Sequence, residues 1–223
     1  MPSIDDHQPT PQGIVRFIIK PVLSGGTYKH LVYLVLAFPL TMLYWFLFGF
    51  GMFLGTILSI VLVGIPILLL MLFVVRALVV LERGLANTLL AVSLEPSNDV
   101  THSDGTGGNL RGYLDAPSTW HGFGFLSLKS FLGIIGVVLA YGLAQGLTLI
   151  SAVVRRPLDV NFGEMNGDPV IWTVETVPET VLAVGTGTIL VLLVMHLANG
   201  FGYVAEQMAV ALLGNSADKS RTE

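Results

Sequence analysis

Arg155, Arg156, Trp172 and Glu175 share one segment, and His196 and Asn199 stand in an otherwise apolar run; these are the residues whose types could contact a ligand or carry a proton. A tryptophan face can stack a flat or cationic ligand. The acids interleaved in the same segment, Asp159, Glu164, Asp168 and Glu179, could hold a cation. The plainer reading carries more weight, because a tryptophan beside an apolar run commonly anchors a chain at a membrane interface while the acids keep a loop solvated. The segment is still the best place in the chain for ligand contact. His196 lies between Met195 and Leu197, where a proton or ligand role is the minority reading.

Catalytic equipment is missing. The chain has no HExxH, no G-x-S-x-G elbow and no Walker loop, and His102 and Asp104 sit in a glycine-rich stretch that cannot hold a geometry. Zero cysteines exclude a disulfide framework, a thiolate metal site and a cysteine nucleophile. We therefore expect no enzyme activity, no metal and no cofactor.

The elements that position these residues are set by hydropathy. Hydrophobic residues make up 53% and charged residues 12% of the chain, with a mean hydropathy of +0.75, far below the usual charged share of about 25%. Residues 31–75 carry no formal charge, and neither do 130–154 or 180–205. A bilayer crossing takes about 20 apolar residues, so the first run makes two spans and the others one each. The polar start, Met1 to Gly26, argues against a cleaved signal peptide. The net charge of −4 gives no hint of nucleic-acid binding.

Lys and Arg set the expected orientation. Arg16, Lys20, Lys29, Arg76, Arg83, Arg111, Lys129, Lys219 and Arg221 fall outside or at the ends of spans on one side, and only Arg155 and Arg156 fall in the loop between spans three and four. This puts both termini and the central linker in the cytoplasm of a multi-pass cell-membrane protein, with the Gly49 to Thr56 turn and loop 151–179 outside. Arg76 and Lys129 are expected to snorkel to the interface.

The chain also repeats. Thr27-Tyr28-Lys29-His30 before span one matches Thr119-Trp120-His121-Gly122 before span three, and Arg83 to Ala91 after span two matches Glu206 to Gly214 after span four. Starting on one side, the halves would be parallel repeats. The predicted fold is an all-α membrane protein of four spans in two repeated hairpins. An amphipathic interfacial helix follows each hairpin, at 81–92 and 203–214. The expected parts are a polar segment 1–24, a first half 25–94, a flexible linker 95–114, a second half 115–214 and a tail 215–223. Val160, Phe162 and the run 170–177 predict a short β-hairpin turning at Asn166-Gly167, with Pro169 at an edge. Pro178 and Glu179 then suit the first turn of span four. Gly51 and Gly55 in span one, and Gly142 and Gly146 in span three, have the spacing that lets helix backbones approach closely. Pro39, Gly64 and Pro66 are expected to loosen their spans.

These residues together resemble a family. Thr27 to Leu34 with Phe38-Pro39-Leu40, Val63-Gly-Ile-Pro-Ile67, Arg76-Ala-Leu and Leu81-Glu82-Arg83, then Asp115, Pro117, Thr119-Trp120, Trp172, Glu175-Thr-Val-Pro178-Glu179 and Ala211-Leu-Leu-Gly214, are similar in order to the sensor domain of some bacterial histidine kinases. That domain also stands alone in actinobacteria and haloarchaea. The resemblance implies a signal-input module with four spans and an outer loop, with no ligand defined. Kinase-linked members continue into output domains, whereas only Asn215 to Glu223 follow here. The expected function is a stand-alone membrane sensor or regulatory module that passes a stimulus to a separate signalling or membrane protein, or to a second copy of itself. The alternatives are a transporter or channel subunit and a structural subunit of a membrane complex.

Overall fold

A computed structural model describes residues 19–95 and 117–214. The N-terminal segment up to residue 18, the linker from 96 to 116 with its His102 and Asp104, and the tail from 215 lie outside the described residues. Four long helices dominate: α1 (Gly25–Leu58), α2 (Gly64–Leu89), α3 (Pro117–Ile150) and α4 (Val177–Leu213). All four are long and apolar enough to cross a membrane. Their outer faces expose Trp45, Phe46, Phe53, Phe131 and Leu182, side chains that acyl chains accept and water does not.

The first turn falls later than expected. Gly49 to Thr56 is helix interior, and the chain reverses at Ser59–Val63, where Leu62 takes a left-handed φ of 62°. Gly64 and Pro66 therefore open α2 rather than kink a span, as suits proline in a first turn. α1 runs unbroken through Pro39.

The two hairpins pack head to tail. Along the α1–α3 contact Leu34 meets Gly136, Phe38 meets Gly133, Trp45 meets Ser130 and Phe48 meets Phe123, so α3 descends as α1 rises. α4 lies antiparallel to α3, through Gly146 against Val191 and Gly142 against Val194, and so runs with α1. The turn at Ser59–Val63 and the β-hairpin consequently lie at opposite ends, and α1 enters at the end from which α4 departs. The helix directions thus differ from the parallel, side-by-side halves expected from the repeat. The physical cause is steric: a Cβ at Gly133 would lie 2.9 Å from the Phe38 backbone, and one at Gly136 would overlap the Leu34 carbonyl. Only glycines there let α1 and α3 touch backbone to backbone.

Crosslinking tests this register directly, because the chain has no native cysteine. Phe48→Cys with Phe123→Cys should be joined by a short bifunctional thiol reagent, while Phe48→Cys with Ala140→Cys should not. A parallel side-by-side packing would give the reverse, since the two partner positions are about 25 Å apart along α3.

The tails at 81–92 and 203–214 do not form separate interfacial helices. They are the last turns of α2 and α4, where Ala86, Leu90, Ala205, Ala209 and Leu213 enter the common core. Small alanines let these ends close on their neighbours, and the Arg83 Nε donates to the Leu213 carbonyl at 3.1 Å, satisfying a group the helix end leaves open.

At the far end β1 (Leu158–Met165) pairs antiparallel with β2 (Asp168–Val174). Asn166 and Gly167 both have positive φ, 57° and 89°, the geometry a two-residue hairpin turn demands. Val160 and Val174 seat the hairpin on Leu149, Ala152 and Ala183. α4 then opens with a capping box: Thr176 accepts from the Glu179 N–H, and the Glu179 carboxylate accepts from the Thr176 N–H at 2.9 Å.

Candidate functional site

Where α1, α2 and α3 meet, four polar side chains close on one another in an otherwise apolar core. Glu82 of α2 and Lys129 of α3 are each fully buried and form an ion pair. Tyr44 of α1 donates its hydroxyl to the other Glu82 oxygen. The Lys129 ammonium sits 4.5 Å from the centre of the Tyr33 ring, a cation–π arrangement that a desolvated ammonium favours. Both carboxylate oxygens and the ammonium thus have partners, the condition under which buried charges persist.

This corrects two sequence expectations. Lys129 does not snorkel, because a carboxylate within reach competes with the distant interface for its ammonium. Glu82, a polar residue of the expected amphipathic segment 81–92, does not face water either; the buried face of α2 runs through Val75, Leu78, Val79, Glu82 and Ala86, with Leu81 outside it. Tyr33, Tyr44 and Glu82 were not among the candidates. One signal was present: a glutamate has too short a stem to snorkel, so an acid and a lysine at the edges of two apolar runs are natural partners.

The earlier candidates are scattered. Arg155 and Arg156 precede Leu158, and Glu175 follows Val174, its pairing partner, so all three stand exposed at the base of the β-hairpin. Trp172 is half-buried and packs with Leu158 on the hairpin's own small core. His196 is half-buried, its Nδ1 2.8 Å from the Leu192 carbonyl one turn back, and Asn199 is exposed. The hairpin residues and the α4 residues belong to different parts of the molecule. The spaced glycines lie in contacts: a Cβ at Gly51 would overlap the Met71 sulfur, one at Gly55 would come within 2.5 Å of Leu68, and Gly142 and Gly146 face Val194 and Val191.

The arrangement can act as a polar latch. Its charges come from α2 of the first hairpin and α3 of the second, so the bond ties the two hairpins together. No curated protein matches the chain, and no solved structure does. The family model described as "Putative sensor" matches residues 33–213, a span that takes in every residue of the latch, and the chain belongs to that family.

Proposed function

We propose that this chain is a non-enzymatic sensor or regulatory module of the cell membrane that passes a stimulus to a separate partner protein. The observation that carries this reading, beyond the family, is the Lys129–Glu82 pair with its Tyr44 hydrogen bond. A sensor needs two discrete arrangements separated by a few kcal/mol, and a buried ion pair between two self-contained hairpins is such an element. Engaged, it holds the hairpins in the register described; released, it lets them slide or part. The ends of α2 and α4, joined through Arg83 and Leu213, would report that movement to the partner.

The test is to solubilise the tagged chain gently from its native membrane after crosslinking. A kinase or transcriptional regulator recovered in stoichiometric amount supports the sensor, and the Lys129→Met/Glu82→Leu double variant should alter that recovery. Recovery of the chain alone, unchanged in the variant, would sink it.

A second reading has its own support. We infer that the halves repeat across a two-fold axis perpendicular to the helices, because contacts recur in matching positions: His30 on Gly202 answers Val79 on Gly122, and Gly51 on Met71 answers Gly142 on Val194. Inverted repeats are a known transporter plan. Solute flux into liposomes carrying the pure chain, lost in the double variant, would favour that reading.

A further inference from the structure

The β-hairpin has two unlike faces. Cross-strand partners share a face, and the register pairs Leu158 with Val174 and Val160 with Trp172; by alternation Phe162 and Val170 continue that apolar face. Asp159, Asn161 and Thr173, with Ile171 as the one apolar member, make the other. The base of the apolar face is covered, because Val160 and Val174 seat on Leu149, Ala152 and Ala183. Its outer part is bare: Phe162 is 42% exposed, Val170 37%, and Met165 beside the turn 65%. Two strands with an open apolar face are marginal in water, so the bare part needs a cover.

What covers it follows from where the hairpin lies. The Gln145 Nε2 donates to the Asn161 carbonyl at 3.0 Å. Gln145 precedes Val153, the end of the apolar span Trp120–Val153, by about 12 Å of helix, farther than a glutamine side chain reaches. β1 therefore lies back along the flank of α3 instead of standing off its end, and the bare part of the face continues the part that α3 and α4 already cover. Around it these helices expose Leu147, Val153, Val154, Val177 and Val181, side chains whose surroundings in a membrane are lipid. Exposed Arg155 and Arg156 follow Val154 directly, and a guanidinium pairs with phosphate oxygens through charge-assisted hydrogen bonds. An element with one apolar face, one polar face and basic residues at its edge lies in the plane of the membrane interface. We propose that the hairpin is a lipid-docking element: Phe162, Met165 and Val170 enter the headgroup–acyl boundary of the bilayer beside α3, Arg155 and Arg156 meet phospholipid phosphates, and Asp159, Asn161 and Thr173 face water. Trp172 is not the anchor, since it packs in the hairpin's own core. This surface goes beyond the sensor reading and does not depend on it.

Because the chain has no native cysteine, single nitroxide labels on the full chain in palmitoyl-oleoyl phosphatidylcholine vesicles test the proposal. The variants are Phe162→Cys and Val170→Cys on the apolar face, and Asp159→Cys and Thr173→Cys on the other. All four positions are exposed, so the substitutions leave the packing of the hairpin on the helices in place. Labels at 162 and 170 should collide several-fold more often with oxygen, which concentrates in lipid, than with a water-soluble nickel chelate. Labels at 159 and 173 should show the reverse preference. The same preference at all four positions, for either reagent, overturns the proposal. So does spin–spin broadening at position 162 that fades on dilution with unlabelled chain, because a second copy would then cover the face. A lipid-docked hairpin in a chain that recruits no partner would sink the sensor reading and leave this one standing.

Discussion

Lys129→Met should destabilise the folded chain by about 3–5 kcal/mol, because it strands the Glu82 carboxylate in a core that offers it one tyrosine hydroxyl. The loss comes from desolvation. Glu82 gave up its hydration on folding and recovered that through the ammonium and Tyr44; with the ammonium gone, most of the penalty stands. Glu82→Gln should also destabilise, since its amide keeps one of the two acceptor oxygens, turns an NH2 donor toward the other partner and leaves the Lys129 charge uncompensated. The double variant Lys129→Met/Glu82→Leu should return to within about 1–2 kcal/mol of the wild type, because replacing a buried pair by apolar groups of similar volume is often neutral. Denaturant titration in mild detergent, followed by tryptophan fluorescence, reads all three. Additive losses in the double variant would show that the two charges do not pair, and would remove the latch.

Gly136→Val should be strongly disruptive outside the latch. A Cβ there would overlap the Leu34 carbonyl, which is backbone and cannot rotate away. α1 and α3 would have to separate along their contact, unpacking Leu132, Leu34 and Leu139 from the core, for a loss of about 4 kcal/mol or more. Two other glycines calibrate this. Gly142→Ala meets only the tip of Val194 at 3.1 Å, a side chain that can shift, so its effect should stay near about 1 kcal/mol. Gly84→Ala meets nothing within 4 Å and should stabilise α2 by up to about 1 kcal/mol through helix propensity. Similar losses at Gly136 and Gly142 would argue against the close α1–α3 contact. The Phe48–Phe123 crosslink should be lost in Gly136→Val and kept in the other two.

The latch also explains why a plain reading of charge placement misses the site. Lys129 precedes the uncharged run 130–154 by one residue and Glu82 follows span two, positions where charges ordinarily reach the interface. Whether they do depends on what stands opposite, and Lys129 and Glu82 are 47 residues apart in the chain. The α2 stripe shows the same limit. Leu81, Leu85, Leu89 and Leu90 outline an apolar face by spacing; Leu90 is buried and Leu85 and Leu89 pack on the core, while Leu81 is exposed and Glu82 takes a buried place beside Val79 and Ala86.

By itself the sequence determined what depends on neighbours along the chain. Four helices follow from uncharged runs of crossing length, the β-hairpin from alternation around Asn166-Gly167, and the start of α4 from Thr176, Pro178 and Glu179, since hydropathy, positive φ and capping act within a few residues. Only the tertiary structure decided the reversal at Ser59–Val63, the head-to-tail packing of the hairpins at Gly133 and Gly136, the continuation of α2 and α4 into the core, and the meeting of Glu82, Lys129, Tyr44 and Tyr33. Those depend on which helix face finds which partner, a choice made by steric fit and by the cost of leaving a buried charge alone.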